Sequence, residues 1–193
     1  MKATNPQLES HPWEPFIPEN ARILIMGTFP PKSGRWSMDF YYPNYINDFW
    51  RIMGLLFYDD PLKFVDVAHK TFRLPEIKQL LCERGIAMND TGATVRRLRD
   101  NASDKYLEIV EPVNLTALLQ KMPLCHTVAT TGEKAAGVIA SLTSTEVPRM
   151  GEMTMAADGL EIWRMPSTSR AYPMKLEKKA EFYARMFRKA GIL

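Results

Sequence analysis

The stretch Arg22-Ile23-Leu24-Ile25-Met26-Gly27 decides the fold, and the loop Thr28-Phe29-Pro30-Pro31 follows it directly. The apolar residues of this stretch run on without alternation. Such a run is typical of a parallel β-strand that is covered on both faces, and it is too short for a helix. The sequence therefore predicts a buried strand that ends in a stiff, proline-containing loop.

Helices and strands alternate on both sides of this strand. Residues 1–20 contain four prolines and predict an extended lead-in, and residues 91–106 are polar without a clean period and predict mostly loop. The alternation predicts one α/β domain, residues 1–193, built around a mostly parallel sheet. The predicted helices are 47–58, 62–68, 76–84, 115–121, 133–141 and a carboxy-terminal helix from 176 to 190, and the predicted strands are 86–88, 124–130 and the hairpin 152–155 with 160–165.

Composition excludes several classes of protein. The chain has 193 residues, of which 46% are apolar and 24% charged, so it is neither disordered nor collagen-like. The net charge of +3 permits an anionic partner without requiring one. Cys82 and Cys125 are too few for a four-thiolate zinc or iron–sulfur site, and the three histidines form no ligand pair. We expect no metal and no cofactor.

The first residues of the chain and the length of its apolar runs indicate where in the cell the protein is expected. The first residues lack the apolar segment of a secretory signal, and no apolar stretch approaches the ~20 residues that span a bilayer. From these features we expect a soluble cytoplasmic protein without a membrane partner. We also expect a monomer.

Three predicted strand ends carry unusual polar chemistry. They are Gly27-Thr28-Phe29, Asn89-Asp90 and Ser167-Thr168-Ser169. Because ligands of open α/β sheets bind at the carboxyl ends of the strands, we expect these segments to meet. Each also has a plain explanation as a turn or cap. The first loop lacks the second glycine of a phosphate-binding P-loop, and no dinucleotide fingerprint occurs in the chain.

The segment after the first loop is dense in aromatic residues. Tyr41 and Tyr42 come directly before a predicted helix, interleaved with amides and cations. Neighbouring residues at such a place cannot all face the core, whereas aromatic rings mixed with amides suit a nucleobase pocket, where stacking contributes ~1–3 kcal/mol per base.

These segments resemble the uracil-DNA glycosylase superfamily. Ile23 to Pro31 followed by Tyr41 to Trp50 resembles its first region, and the similarity is closest to the branch that includes hypoxanthine-DNA glycosylases. Further similar segments follow in order along most of the chain: Gly85–Asp90, Val110–Leu119, Met165–Ser169 and Leu176–Lys179. The resemblance implies a three-layer α/β/α sandwich, and a monofunctional enzyme that hydrolyses the N-glycosidic bond of uracil or hypoxanthine in DNA.

The resemblance also implies roles for single residues. Phe29 stands where other branches have Asp or Asn, Asn47 stands where the hypoxanthine branch places its water-positioning asparagine, and Met165 replaces a histidine of the main uracil branch. In this reading Asn47 is catalytic. The base-binding residues are Gly27, Thr28, Phe29, Tyr41, Tyr42, Asn89 and Asp90, and the DNA-binding residues are Ser167, Thr168, Ser169, Arg170, Tyr172 and Lys175.

Several of these residues, and the function itself, have alternative explanations. Asn47 could simply cap the following helix, Asp90 could cap the turn after its strand, and cations of the last helix could form either a phosphate-binding stripe or a solvated face. At the level of function, the alternatives are a non-catalytic nucleic-acid or nucleotide-binding module on the same fold and an unrelated enzyme acting on a small molecule.

Overall fold

A computed structural model describes residues 8–98 and 104–193, and these residues form ten strands, five α-helices and two single-turn 3-10 helices. Residues 1–7 of the predicted lead-in and 99–103 of the predicted loop lie outside the described residues. The strands are β1 (Leu8–Ser10), β2 (Ile23–Gly27), β3 (Val65–Asp66), β4 (Thr71–Phe72), β5 (Ile86–Asp90), β6 (Gly92–Arg97), β7 (Leu107–Pro112), β8 (Thr127–Thr131), β9 (Met153–Met155) and β10 (Glu161–Met165). The helices are α1 (Phe49–Tyr58), α2 (Leu74–Arg84), α3 (Leu115–Gln120), α4 (Glu133–Thr143) and α5 (Leu176–Lys189).

The central sheet has five strands in the order β5-β2-β8-β10-β9. The first four are parallel, and β9 pairs antiparallel with β10 at one edge. The predicted α/β class and the mostly parallel sheet are confirmed. The register places Gly27 beside Asp90, so the carboxyl ends of β2 and β5 meet at the same edge of the sheet.

Two buried apolar clusters flank the strands. Alternate residues of β2 separate into them, with Ile23 and Ile25 in one cluster and Leu24 and Met26 in the other. This follows from the two-residue period of a strand. The first cluster takes in side chains of α1, α2 and α5, and the second takes in side chains of α3 and α4.

Helix ends follow the local signals in the sequence. Gly85 closes α2 with φ of +64°. An added Cβ there would lie 2.4 Å from the Asn20 carbonyl oxygen, which leaves room only for glycine. Asn114 caps α3 by accepting a hydrogen bond from the Ala117 amide at 3.0 Å.

Two predictions of local structure are wrong. Residues 62–68 do not form a helix; they lead into the short antiparallel pair β3 and β4. Residues 92–97, expected as loop, form β6 in a second sheet of order β1-β6-β7. The polar character of β6 arises from cross-strand pairing, since Arg96 Nη1 lies 2.8 Å from Glu108 Oε2 on β7.

The lead-in is tied to the body of the protein by backbone hydrogen bonds. Leu8–Ser10 pair with β6, the His11 amide donates to the Ala93 carbonyl, and Phe16 exchanges two backbone hydrogen bonds with Met88. We call residues 8–18 the N-terminal strap. It passes along the β5 side of the sheet, next to the strand ends described below.

Candidate functional site

A cavity of about 660 Å³ lies at the carboxyl edge of the central sheet. Residues from all three predicted strand ends line it, together with residues from the aromatic segment. Phe29, Asn47, Asp90 and Thr168 all contribute to its wall. Of the predicted site residues, those that line the cavity are Gly27, Thr28, Phe29, Tyr42, Asn47, Asp90, Ser167, Thr168, Ser169, Arg170 and Tyr172.

The loop after β2 forms one wall and is held rigidly. The carbonyls of Gly27 and Thr28 accept hydrogen bonds from the Thr91 and Gly92 amides. Arg97 donates to the Pro30 carbonyl at 2.7 Å while its guanidinium lies 5.6 Å from the centre of the Phe29 ring. The half-buried Phe29 ring therefore stands as a fixed aromatic surface in the cavity wall.

Position 27 has room only for glycine, because the side chains of Asp90 and Tyr42 lie close to it. An added Cβ would lie 2.6 Å from Asp90 Oδ1 and 3.3 Å from the Tyr42 hydroxyl. Asp90 cannot move aside freely, because its other carboxylate oxygen is bonded to His11. The absence of a side chain at Gly27 thus lets the Asp90 carboxylate reach the cavity.

We expect Gly27→Ala to lower the free energy of unfolding by about 1–3 kcal/mol, the usual cost of overpacking. Gly34→Ala is the matched control, because a Cβ at Gly34 meets nothing within 4 Å. Urea unfolding monitored by circular dichroism compares the two variants. Equal stability of the two variants would contradict the packing described here.

Tyr42 and Thr131 also line the cavity. Tyr42 has a left-handed backbone, with φ of 52°, which is unusual for a bulky residue. That conformation stacks its ring on Phe49, with ring centres 4.0 Å apart, and its hydroxyl lies 2.8 Å from Thr131 Oγ1. A strained backbone conformation at Tyr42 therefore places its ring at the cavity.

Asn47 is fixed immediately before α1. Its amide donates to the Asn44 carbonyl, its carbonyl accepts from Arg51, and its side-chain Oδ1 accepts from the Phe49 amide at 2.8 Å. Oδ1 therefore caps the first amide of α1, although the residue directly before the helix is Asp48, whose own side chain makes no capping hydrogen bond. Within the described ranges no residue accepts a hydrogen bond from Nδ2, and the residue lines the cavity. Asn47 can therefore cap the helix with one side-chain atom and bind a ligand with the other.

Asp90 ends β5 and pairs with a histidine of the strap. Asp90 Oδ2 lies 3.0 Å from His11 Nε2, and both side chains are about nine-tenths buried. Burial alone would lower the pKa of His11, but the hydrogen bond and the charge of Asp90 outweigh it and raise the pKa of His11 above its usual value.

The Ser167-Thr168-Ser169 loop is anchored through a buried ion pair. Lys179, which is fully buried on α5, donates to Asp48 Oδ2 at 2.9 Å and to the Ser169 carbonyl at 2.8 Å. Asp48 in turn donates its amide to the Thr168 carbonyl. Arg170 binds Asp48 Oδ1 at 3.1 Å from the solvent side. These contacts fix the loop against Asp48, which directly follows Asn47 in the chain.

Three predicted site residues lie outside the cavity. Tyr41 is fully buried, and its single O–H lies within hydrogen-bond reach of two acceptors, the Glu14 carbonyl at 3.0 Å and Asn89 Oδ1 at 3.2 Å. Tyr41 and Asn89 therefore serve the packing beneath the site. Burial raises the pKa of Tyr41, which keeps the phenol neutral. Lys175 is exposed at the start of α5 and does not line the cavity.

Several cations of α5, for which a phosphate-binding stripe and a solvated face were both possible, make contacts within the protein. Lys179 is buried against Asp48, Lys178 pairs with Glu181, and Lys189 pairs with Glu161. Arg185 donates to the Gly151 carbonyl. Four cations that a phosphate-binding stripe would use are therefore engaged in contacts within the protein.

Sequence reasoning missed three contributors to the site. His11 and Asp48 act through contacts 79 and 122 residues away in the chain, to Asp90 and Arg170, for which the sequence carries no signal. Thr131 could have been found, because it ends β8 and parallel strands deliver their carboxyl ends to one edge.

The described residues contain no group of three or more His, Cys, Asp or Glu side chains that could hold a metal ion. In the same ranges no helix has both the length and the apolar character needed to cross a bilayer.

The arrangement suits a planar ligand with a polar edge. Phe29 offers a ring face, Asp90 offers a hydrogen-bond acceptor, and Asn47 Nδ2 offers a donor, all on one cavity. The Phe29 amide is a further donor that no described residue engages, and the two prolines after it have no N–H group.

Comparisons with known proteins place the fold. No protein-family model matches the chain, and no curated protein matches it. Among solved structures, the chain is similar to the solution NMR structure of a protein from Methanosarcina acetivorans described as "a putative Uracil DNA glycosylase". The TM-score is 0.66 at 22% identity, over 96% of this chain and 99% of that one. The chain therefore shares the fold of that protein over nearly its whole length.

Proposed function

We propose that this protein is a DNA glycosylase that hydrolyses the N-glycosidic bond of a deaminated base, uracil or hypoxanthine, after the base has turned out of DNA. The observation that carries the proposal is that Phe29, Asn47 and Asp90 line one cavity bordered by the Ser167-Thr168-Ser169 loop. The description of the structural neighbour and the two apolar clusters expected of a three-layer sandwich support it.

Base recognition in this proposal uses Phe29 and Asp90. The turned-out base stacks on the Phe29 ring, a contact of the kind that contributes ~1–3 kcal/mol. Uracil and hypoxanthine carry a ring N–H beside a carbonyl, and the Asp90 carboxylate accepts that hydrogen bond. Cytosine and adenine present a bare acceptor at the same position, so the carboxylate repels them.

Bond breaking follows from the same geometry. The sugar develops oxocarbenium character as the base departs as an anion, as in glycoside hydrolysis. The Phe29 amide stabilises the carbonyl oxygen of the leaving base. Asn47 Nδ2 holds the attacking water at the sugar, and its neutrality suits a dissociative reaction in which positioning matters more than activation. No lysine of the described residues lines the cavity, which supports a monofunctional hydrolase.

The DNA backbone contacts the rim of the cavity. Ser167 and Ser169 offer hydroxyl groups to phosphate oxygens, and the exposed Arg35 adds a cation to the cavity lining. Arg170 and Tyr172 lie beside the loop, where they can fill the space that the base leaves in the duplex. Binding that depends on such contacts weakens as the salt concentration rises.

The test is excision from synthetic duplexes. Purified protein is incubated with duplexes that carry one uracil, one hypoxanthine or one G·T mismatch, with an undamaged duplex as control, and abasic sites are then cleaved with alkali. We expect strand scission at uracil or hypoxanthine and none in the undamaged duplex. Salt-sensitive binding to these duplexes without any scission would instead support the non-catalytic binding module.

A further inference from the structure

His11 reaches the site from the N-terminal strap, far from the strand ends in the sequence. The strap fixes its backbone through the β1–β6 pairing and through the hydrogen bond from its amide to the Ala93 carbonyl at 2.8 Å. These backbone contacts hold the strap without using the His11 side chain. The imidazole can be altered while the strap stays in place.

The imidazole is enclosed on every side. Its ring packs edge-on against Phe29 at 5.3 Å and stacks on Tyr41 at 5.8 Å. Nε2 lies 3.0 Å from Asp90 Oδ2, and Nδ1 lies 2.8 Å from the Trp13 carbonyl oxygen and 3.2 Å from the Trp13 amide. His11 itself does not line the cavity.

The two oxygens of Asp90 therefore have different surroundings. Oδ2 is bonded to His11, whereas Oδ1 lies above Gly27, a residue of the cavity wall. No residue of the described ranges donates a hydrogen bond to Oδ1. The histidine thus determines which oxygen of the carboxylate is presented to a ligand.

The charge of this carboxylate poses a problem for the proposed reaction. An ionised Asp90 accepts the N–H of a neutral base, but it repels the same base once that base leaves as an anion. A cation bonded to the far oxygen reduces this repulsion in a site of low dielectric constant. His11 is the cationic partner that the structure supplies, since Arg97 is paired with Glu9.

We propose that His11 is a positioning residue that holds Asp90 with Oδ1 toward the cavity and, when protonated, neutralises the carboxylate while the base anion departs. This inference rests on the proposed glycosylase function and deepens it. It assigns the specificity for bases with a ring N–H to a His–Asp pair and not to Asp90 alone.

The direction of the pH dependence follows from the surrounding groups. The titratable groups that act on His11 are Asp90 and Glu14, which favour its charged form, and the neutral phenol of Tyr41 stacks on it. Protonated His11 donates Nδ1–H to the Trp13 carbonyl. Neutral His11 accepts from the Trp13 amide and keeps Nε2–H on Asp90. As the pH rises through the pKa of His11, the positioning hydrogen bond therefore remains and only the charge is lost.

The test compares His11→Gln with the wild-type protein in single-turnover excision between pH 5.5 and 9.5. Gln can donate a hydrogen bond to Asp90 but carries no charge. We expect the wild-type rate to fall about tenfold as the pH rises through the raised pKa of His11, the change in rate that one pKa unit of differential interaction gives. We expect the variant to lack this fall and to stay at the low rate, with unchanged affinity for the duplex.

His69→Gln is the matched control, because His69 also pairs with an aspartate, Asp66, but on the exposed β3–β4 turn. It should keep the wild-type profile. A His11→Gln variant with the wild-type rate and profile would overturn the inference. An NMR titration of the His11 ring needs no activity: its pKa should fall in Asp90→Asn, and an unchanged pKa would also overturn the inference. Absence of excision by the wild-type protein would instead count against the proposed function.

Discussion

Asn47→Ser is expected to lower the single-turnover excision rate by about 10²–10³-fold while leaving the fold intact. Loss of one fixed polar group that acts in the transition state has an effect of this size. The Ser hydroxyl can still accept the hydrogen bond from the Phe49 amide that Asn47 Oδ1 now accepts at 2.8 Å, but it cannot replace Nδ2 in the cavity. Rates are measured on the duplex that the wild-type protein cleaves best.

Comparing Asn47→Ala with Asn47→Ser separates the two roles of the residue. It removes both the helix cap and the ligand-binding amide, so it should be as inactive as Asn47→Ser and, in addition, less stable by about 1 kcal/mol. Urea unfolding of both variants gives the stability. An active Asn47→Ser variant would assign the water to another residue, and Asn47 would then be only a capping residue.

Lys179→Met is expected to lower the free energy of unfolding by about 3–5 kcal/mol, the largest stability effect expected in this chain. Lys179 is fully buried, and its removal leaves the Asp48 carboxylate, which is 8% exposed, with only the half-exposed Arg170 as an ion-pair partner. The Ser169 carbonyl also loses its donor. Because the same loop borders the cavity, excision should fall together with stability.

Lys178→Met is the matched control for this prediction. Lys178 is the preceding residue on α5, is exposed, and pairs with Glu181 within its own helix. Exposed pairs of this kind contribute little, so the control should change stability by less than about 0.5 kcal/mol. Equal effects of the two substitutions in urea unfolding would mean that the Asp48–Lys179 pair does not anchor the loop.

The elements with strong local signals were predictable from the sequence. The continuous apolar run of β2, the apolar periodicity of α5 and the caps of α2 and α3 each specify their element without help from the rest of the chain. β6 was not predictable, because Arg96 and Arg97 find their carboxylate partners on β7 and β1. The predicted helix at 62–68 failed because turns and the two-residue strands β3 and β4 occupy that stretch.

The candidate site was predictable where it depends on strand ends. Gly27, Phe29 and Asp90 follow from the rule that parallel strands present their carboxyl ends at one edge. The burial of Lys179 was not predictable, since lysine is almost never fully buried unless it is paired, and its partner Asp48 lies 131 residues away. The exclusion of Tyr41 from the cavity depends in the same way on its distant partner Asn89.

A crystal structure of Asn47→Ser bound to a duplex with the preferred lesion would show whether the cavity accepts a base turned out of DNA. We expect the damaged base to lie in the cavity, stacked on Phe29, with its ring N–H within hydrogen-bond distance of Asp90 Oδ1. A complex in which the lesion stays stacked in the duplex, or in which the DNA lies on another face of the protein, would rule out the proposed base-binding site.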